Sequence, residues 1–480
     1  MTDPLIRSNG RICCVFVTVI WGQWHRGMFL NANLPTMLAP GNLPALAAGI
    51  DCEYFVYTTA KDAAEIEGDP AFERLQALLP VTLKLFTTSK TKHPIKLHHD
   101  IWRRAMGHAR QRGAFILFMP PDVAWADGSF AGLRAALEAG KRAIFMTYPR
   151  VLSETFVPAM TERFPPRADR SVAIPAPEMM GLAITHLHPM MAAYSRTSSH
   201  FPIHPEFILW PIKGDGFLLR LLARELFCFE PGRYPLNAES LLAVRPPAEE
   251  IHVFGDSRQF LGVSFTPLLK DADWYLRSRP LEPLSIGRWW MHYDSPSNDF
   301  ISTFDLRFTC GTADETRWRE AERQAKSLLM HLRSAREFLR IEAALRRTGL
   351  WHAAAFLTSA LSLHGLARRW AHRGPFIVLA PTDKALKRAG FADKLAEVKS
   401  ATEALRMIEA HVAVLPASAL GSEVSDLITL AGRRFRLQRG AAARRCGNNL
   451  VVPIETVLYS LERPSGDCGK AAAELSPTTS

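Results

Sequence analysis

The sequence predicts an α/β protein in which helices cover a mixed sheet on both faces, followed by a smaller α+β domain. Short apolar runs rich in β-branched residues recur through the first 150 residues, and segments with helical spacing separate them. Residues 150–300 are richer in Pro, His and Trp, which is typical of the connections that carry function in an enzyme. Helices and short strands then alternate again over residues 350–465.

The first of these regions contains five predicted strands. Each is too short to cross a bilayer and most end at polar, Pro or Gly residues, as strands of a parallel or mixed sheet do. Residues 95–111 separate two of them, and their bulky residues recur at helical spacing with basic residues on the other face. The predicted strands are residues 11–19, 52–58, 81–86, 114–119 and 142–147.

The strand over residues 114–119 is the one most clearly followed by functional chemistry. Two prolines stop it, an acidic loop with Asp122 and Asp127 follows, and a helix is predicted to start near Ser129. Ligands of open α/β sheets bind at the carboxyl ends of strands, so Asp122 lies where a site is expected. The simpler interpretation of either acid is a turn or helix-cap residue, and it is favoured for Asp127.

Size and charge limit the function classes. With 480 residues, 48% of them hydrophobic, the chain is expected to form two or three domains. Its net charge of +11 is concentrated in residues 311–480, which hold 26 Lys and Arg against 17 Asp and Glu. Such a basic region suits nucleic acid, anionic lipid or an acidic polymer. A solvated Arg-rich edge is the simpler interpretation, and nucleic acid is not favoured because no pattern of stacking aromatics accompanies the arginines.

Cysteines and apolar segments bear on the compartment. The seven cysteines show no regular spacing and no metal-type pair, so we expect reduced and mostly buried thiols. The apolar run at residues 12–21 lacks a signal-peptide cleavage pattern, and residues 351–367 fall short of a membrane span. We therefore expect a cytoplasmic protein that, at most, is peripheral to the inner membrane.

Histidines and acids concentrate in the loop-rich region. His186 and His188, spaced i and i+2, could bind zinc from a strand, but no third ligand follows at a recognisable spacing. A pocket for an acceptor substrate is favoured instead. In it, Trp210 would stack on a sugar ring, and Glu206 or Asp215 would act as hydrogen-bond acceptor or base.

The N-terminal region, residues 1–310, resembles the GT-A class of nucleotide-sugar glycosyltransferases. Three stretches carry the resemblance: FVTVIWG at the first strand-to-helix turn, the strand end before Asp62, and the PPDVAWADGS loop. It implies a Rossmann-type sandwich with a mixed sheet, a nucleotide-sugar donor and a saccharide or glycolipid acceptor. A role in bacterial polysaccharide biosynthesis would follow.

The resemblance also implies site residues on the donor side. The loop after the first strand and the end of the second strand would face the nucleoside, through Gly22, Trp24, Thr59 and Asp62. Lys96 is a candidate for the phosphates, and a solvated helical lysine is an equally good interpretation.

Asp122 would face the diphosphate and hold a divalent metal ion, Mn²⁺ or Mg²⁺. This sequence departs from the family's Asp-x-Asp element, because Pro120 stands two positions before Asp122. Two alternatives therefore stay open. Either Asp122 holds a weakly bound metal with help from Asp256 or a later His, or Arg and Lys side chains offset the diphosphate charge.

On the acceptor side, the HVFGDS stretch places Asp256 after another short strand. By analogy with the fold, Asp256 is a late metal or catalytic element, and a simple turn is nearly as good an interpretation. Together with Glu206 and Asp215 it completes the predicted catalytic set.

Residues 334–465 resemble a fasciclin domain. GPFIVLAPTDKAL at 374–386 matches an apolar strand followed by Ala-Pro-Thr-Asx and a helix that Thr382 or Asp383 caps. GNNLVVPIETVLYSL at 447–461 matches the second signature, with Glu455 where Asp is usual. The resemblance implies a binding module with a protein or polysaccharide partner. Residues 311–333 are predicted as a helical linker, and residues 466–480 as a disordered tail.

Two functions from different classes thus follow from the sequence. The first is a glycosyltransferase that carries a fasciclin-like binding module. The second is a non-catalytic adhesion or scaffold protein whose N-terminal domain is a degenerate relative that binds a glycan without turnover. The absence of the Asp-x-Asp pair keeps the second alternative open.

Overall fold

The computed structural model describes most of the chain. His204 and the predicted tail at 466–480 lie outside the described residues. The residues described are 11–88, 94–203, 205–223, 227–234, 246–268, 280–292, 296–311, 314–364, 375–391, 401–414, 426–436, 443–446, 449–455 and 457–458.

The chain divides into two compact units, Met1–Leu329 and Met330–Ser480. The division falls inside one long helix, Glu315–Arg347, which also contains most of the predicted linker. Its run of charged residues with buried positions at helical spacing explains why it continues through the boundary.

The strands of the first unit are short, as expected for apolar runs that end at polar or Pro and Gly residues. In chain order they are β1 (Cys13–Ile20), β2 (Asp51–Thr58), β3 (Val81–Leu85), β4 (Phe115–Phe118), β5 (Val123–Trp125), β6 (Ala143–Phe145), β7 (Arg150–Leu152), β8 (Phe207–Ile212), β9 (Gly216–Leu221), β10 (Cys228–Phe229), β11 (Ile251–Val253), β12 (Gly262–Thr266) and β13 (Leu306–Thr309).

Helices connect these strands. A π-helical turn, Phe29–Asn33, separates the first two α-helices. The α-helices are α1 (Gln23–Met28), α2 (Leu34–Met37), α3 (Leu43–Ala47), α4 (Ala60–Glu67), α5 (Pro70–Leu78), α6 (Pro94–Gln111), α7 (Ser129–Glu138), α8 (Ser153–Arg163), α9 (Ala176–Thr185), α10 (Pro189–Ala193), α11 (Pro283–His292), α12 (Pro296–Ile301) and α13 (Glu315–Arg347).

A seven-stranded mixed sheet organises the first unit, with the order β11-β6-β10-β4-β1-β2-β3. β1 pairs in parallel with both β2 and β4, whereas β10 runs antiparallel between β4 and β6. The predicted mixed α/β sheet is therefore confirmed. The sequence indicated β1 to β4 and β6, but it did not indicate the two-residue strand β10.

The alternation of side chains along β1 builds a core on each face of the sheet. Val15 and Val17 lie in one buried cluster, and Cys14 and Phe16 lie in the other. All eight residues of β1 are buried, which is why the strand is apolar at nearly every position. A strand buried on both faces sits at the centre of the layers, so the loops at its ends are firmly positioned.

Two three-stranded sheets accompany the large one. Their orders are β5-β12-β7 and β13-β9-β8. Residues 150–300, which the sequence indicated to be loop-rich, thus contain several strands. Some of these strands pair with partners that are far away in the chain. An isolated bridge between Asp256 and Arg307 joins the loop after β11 to β13.

The second unit has a sheet of order β15-β14-β19-β18 and a separate hairpin, β16-β17. The two fasciclin-like stretches provide β14 and β19, which pair in parallel from Ile377 opposite Leu450 onward. Its elements are α14 (Trp351–His364), β14 (Phe376–Pro381), α15 (Asp383–Arg388), α16 (Ala401–Glu409), β15 (Val412–Val414), β16 (Asp426–Ile428), β17 (Arg434–Arg436), β18 (Arg444–Cys446) and β19 (Asn449–Ile454).

Two expectations about compartment can be compared with the structure. Within the described part of the chain, no helix combines the length and the apolarity needed to cross a membrane. The six described cysteines are free, and four of them are buried. Burial raises the pKa of Cys52 to about 12, so its thiol is protonated at neutral pH.

Candidate functional site

From the topology of the large sheet, a crevice is expected beside β1. From β1 the chain adds β2 and then β3 on one side, and it then crosses to add β4 on the other side. The loops after β1 and β4 therefore leave the sheet in different directions, and in open α/β sheets such a switch point is where ligands bind. Trp21 and Gly22 follow β1, and Asp122 lies beyond β4.

Hydrogen bonds from distant segments fix the loop that carries Asp122. The side-chain amide of Asn33, in the π-helical turn, donates to the carbonyls of Pro120 (3.1 Å) and Val123 (2.6 Å). The backbone N–H of Phe265 donates to the carbonyl of Asp122 (2.8 Å). The direction in which the Asp122 carboxylate points is thus set by tertiary contacts as well as by the two prolines.

Two basic side chains lie near this carboxylate. Burial raises the pKa of Asp122, and the charges of His25 and Arg150 act in the opposite direction. Asp122 comes from the loop beyond β4, His25 from α1 and Arg150 from the start of β7. The fold therefore brings one acid and two bases together from three separate segments.

Arg150 is half-buried, and its guanidinium has no hydrogen bond or ion pair with any residue that the structure describes. Its charge also lowers the pKa of the neighbouring His188, for which burial is the larger cause. A half-buried guanidinium without a close carboxylate partner is suited to bind an anionic group of a ligand.

Aromatic rings line the same edge of the sheet. The indole of Trp24 meets His25 edge-on at 4.8 Å between ring centres, and Trp21 lies 6.1 Å from His25 and 6.3 Å from His98. His98 in turn lies 4.5 Å from Trp102 on α6. These rings surround the loop after β1 with flat apolar surfaces.

Burial lowers the pKa of His98 to about 4, and the neighbouring His99 and His25 add to this effect. His98 is therefore neutral at pH 7. A neutral imidazole among indoles can accept or donate a hydrogen bond without adding charge.

The predicted nucleoside-side residues Gly22, Thr59 and Asp62 form one hydrogen-bonded group. Oδ2 of Asp62 accepts from the Gly22 N–H (3.1 Å) and from the Thr59 hydroxyl (2.7 Å), and Arg26 pairs with Oδ1. Burial opposes ionisation, but these hydrogen bonds and the Arg26 charge outweigh it and hold the pKa of Asp62 below its ordinary value. Thr59 also caps α4. Asp62 thus ties the loop after β1 to the end of β2.

Gly22 adopts a φ of 85°, a conformation that favours glycine, and a Cβ there would meet no atom within 4 Å. Lys96 lies in the first turn of α6 with its side chain exposed. Gly22 thus lies in the loop after β1, and Lys96 lies on α6. Their roles toward a ligand stay predictions.

The predicted acceptor-side acids lie elsewhere, around the sheet β13-β9-β8. Asp215, in the turn between β8 and β9, is 4% exposed. Its carboxylate accepts from the indole N–H of Trp318 (2.9 Å) and from the Thr309 hydroxyl (2.9 Å). This arrangement is typical of a carboxylate that holds a fold together.

The carboxylate of Asp256 forms an ion pair with the neighbouring Arg258. Burial opposes its ionisation, but the hydrogen bonds and charge of Arg258 outweigh it and hold the pKa of Asp256 below the ordinary value. Glu206 is half-buried just before β8, and its carbonyl accepts from the N–H groups of Leu222 (2.8 Å) and Ala223 (3.2 Å). The backbone bridge to Arg307 places Asp256 beside β13, apart from the hydrogen-bonded group around Asp62.

Two interpretations of single residues need correction. Asp127 does not cap the helix after it, because Gly128 is the cap residue. Its carboxylate accepts instead from the Gly41 N–H at 2.7 Å. Trp210 is 4% exposed, so its ring face is not available as the stacking surface that the sequence suggested.

The donor set is a poor fit for a resident metal ion. Among the described residues, no group of three or more His, Cys, Asp or Glu side chains is arranged to hold one. Mg²⁺ can bind through one or two carboxylates together with substrate phosphates, and Asp122 would then supply a single ligand. A metal brought by the substrate stays a prediction, and no step below depends on it.

Sequence reasoning missed His25, His98 and Arg150. His25 had a signal, because it follows the first predicted strand within WGQWHRG. His98 had a weaker one, since it precedes Trp102 by one helical turn on α6. Arg150 had none, because only the folded arrangement of β7 brings it to Asp122.

A scan against protein-family models finds no match to this chain, and a search of curated proteins finds no significantly similar sequence.

Proposed function

We propose that the first unit binds a nucleotide-sugar donor in the crevice at the switch point and transfers the sugar to a saccharide or glycolipid acceptor. The observation that carries the proposal is the convergence of Arg150, His25 and Asp122 at the carboxyl ends of β1 and β4. Doubly wound sheets bind nucleotides at this position.

Each part of the donor has a matching feature. The rings of Trp21, Trp24 and Trp102 offer flat surfaces for the nucleoside. Arg150, assisted by His25, would bind the diphosphate. As the bond between sugar and diphosphate breaks, negative charge grows on the leaving group, and a fixed guanidinium stabilises it.

Asp122 has the properties of a proton acceptor for the attacking hydroxyl. Burial raises its pKa, which strengthens the carboxylate as a base, while the nearby charge of Arg150 favours the ionised form. A carboxylate that binds a substrate-borne metal is the alternative. Addition of Mn²⁺ or Mg²⁺ distinguishes the two roles, because only the second requires the ion.

The second unit supports the companion proposal of a fasciclin-like binding module. The two signature stretches are neighbouring parallel strands, and Thr382 caps the following helix by accepting from the Ala385 N–H. His411 has both ring nitrogens engaged, with the Met407 carbonyl (2.7 Å) and the Leu458 N–H (2.9 Å), which favours a structural role.

Donor binding is the test. We expect nucleoside diphosphates or their sugar conjugates to raise the melting temperature by several °C at saturating concentration, since they bind only the native state. Arg150→Gln should abolish this shift, and without ligand its melting temperature should equal that of the wild type. Arg163→Gln is the matched control, because Arg163 is an exposed arginine paired with Glu178 on the surface.

Two results would count against the enzyme. If no nucleotide shifts the melting temperature, with or without Mn²⁺, the donor site is wrong. If nucleotides bind but no sugar transfer or donor hydrolysis occurs with any acceptor tested, the non-catalytic alternative replaces the glycosyltransferase.

A further inference from the structure

An open pocket in the first unit lies between the β8–β9 hairpin and the first half of α13. Its volume is about 450 Å³, which suits a sugar-sized molecule. None of its lining residues belongs to the crevice at the switch point. Its charged residues are Arg196, Lys213, Arg317 and Glu320.

Two arginines of this pocket are held by neutral groups. The guanidinium of Arg317 donates to the carbonyl of Lys213 at 3.1 Å, and that of Arg196 donates to the side-chain carbonyl of Gln324. Neutral oxygens fix the direction of a guanidinium without cancelling its charge. The nearest acid of Arg317 is Asp314, at 3.5 Å and 54% exposed, where solvent screens the pair.

The single acid of the lining is already engaged. Glu320 accepts from Arg323 (2.6 Å) and from Gln324 (2.6 Å), and it is also close enough to Arg196 to interact with its charge. Lys213, at the hairpin turn, is exposed and has no hydrogen bond or ion pair through its ammonium among the described residues. The pocket therefore carries a positive surplus.

The pocket also contains an unsatisfied donor. Trp210 lines it and is 4% exposed, and its indole N–H is buried without a hydrogen-bond partner among the residues that the structure describes. A buried donor that lacks a partner costs free energy, and a ligand oxygen that reached it after a small side-chain shift would remove that cost.

We propose that this pocket binds a sugar-sized molecule bearing a phosphate or carboxylate group. Arg317 and Arg196 present forked donors for the oxyanion, and Lys213 adds a point charge. Hydroxyl or ring oxygens of the ligand would meet Thr197, Thr316 and the indole of Trp210. The inference does not depend on the proposed function of the crevice.

The experiment is calorimetric titration of the full-length chain at low salt. It is carried out in Arg150→Gln, so that the crevice does not contribute. The ligands are glucose 1-phosphate, inorganic phosphate, glucuronate and glucose. We expect saturable binding of one equivalent for the three oxyanions and none for glucose. Tighter binding of glucose 1-phosphate than of inorganic phosphate would assign the sugar moiety to the pocket.

Substitutions locate the site. Lys213→Gln with Arg317→Gln should weaken binding at least tenfold. Arg319→Gln with Lys326→Gln is the matched control, because it removes the same charge from exposed positions of α13 that do not line the pocket. It should change the affinity less than twofold. All four positions are exposed, so the folded state is expected to persist.

Two outcomes would overturn the proposal. One is the absence of saturable binding by every oxyanion tested. The other is equal weakening by both pairs of substitutions, which would show attraction to the net charge rather than a site. Either outcome leaves the nucleotide test of the crevice unaffected.

Discussion

At the scale of single residues, Asp122 is a carboxylate whose burial opposes its ionisation. Asp122 is half-buried and lies near Arg150 and His25, and nevertheless its pKa is raised because burial outweighs their attraction. An acid whose pKa is raised by burial beside specific basic side chains is a candidate for function. Asp62, one loop away, shows the contrast, because its hydrogen bonds lower its pKa.

This difference predicts the effect of Asp122→Asn on pH dependence. The folded chain holds the Asp122 proton more tightly than the unfolded chain does, so the folded state loses stability as pH rises through the folded-state pKa. The variant lacks this loss. We therefore expect a higher melting temperature than wild type at pH 8, a difference that closes toward pH 4, and loss of sugar transfer.

Thermal melts of both proteins between pH 4 and pH 8 provide the measurement. Asp69→Asn is the control for charge removal, since Asp69 accepts from the Ala71 N–H at the start of α5 and is expected to lose stability when neutralised. A lower melting temperature for Asp122→Asn at pH 8 would show that the carboxylate stabilises the fold and does not oppose it.

At the scale of elements, the site depends on how two loops pack against each other. The chain at Gly41 approaches the start of α7 so closely that a Cβ would lie 2.5 Å from the backbone nitrogen of Gly128 and 2.8 Å from Oδ1 of Asp127. Both distances are shorter than the separations that real Cβ atoms show from non-bonded atoms. The acidic loop that carries Asp122 is thus anchored by a glycine some eighty residues earlier.

We therefore expect Gly41→Ala to destabilise the protein by about 2 kcal/mol or more, because the backbone at Gly128 must shift and the Asp127 hydrogen bond is disturbed. Gly107→Ala is the matched control. Gly107 lies inside α6 with no atom within 4 Å of a Cβ, so alanine should stabilise the helix by about 0.5–1 kcal/mol.

Denaturant unfolding of the two variants measures both changes. Gly41→Ala should also weaken nucleotide binding, since the displaced loop carries Asp122. Equal and small effects of the two alanines would show that the loop accommodates the extra carbon and that the packing at Gly41 is not needed.

The elements also show why prediction from sequence succeeded unevenly. β1, β2 and β4 were predictable because buried central strands are apolar at consecutive positions. β10 was not, since Cys228–Phe229 is two residues long and pairs with partners over eighty residues away. The switch point itself follows from pairing order, which local pattern does not contain. Asp122 could therefore be predicted as a site residue from its strand end, and Arg150 could not.

At the scale of the whole molecule, the boundary between the two compact units falls inside the predicted linker of residues 311–333. Residues 1–310 were expected to form the first domain, but the compact unit continues to Leu329. The reason is Trp318, which is fully buried and donates its indole N–H to the buried carboxylate of Asp215. A chain that ends before Trp318 removes a large core side chain and leaves this acid with one donor fewer.

We expect a fragment of residues 1–329 to fold and to bind nucleotides, and a fragment of residues 1–310 to lose several kcal/mol of stability. The loss combines removal of a buried tryptophan, about 3–5 kcal/mol, with the penalty at Asp215, about 1–3 kcal/mol. Circular dichroism melts measure the stability of the two fragments, and the nucleotide-induced shift measures their binding.

Trp318→Phe in the full-length chain isolates the hydrogen bond, because an aromatic ring is kept and the indole N–H is lost. If residues 1–310 melt at the same temperature as residues 1–329, then Asp215 does not depend on α13, and its carboxylate is again a candidate for the acceptor-side chemistry that the sequence suggested.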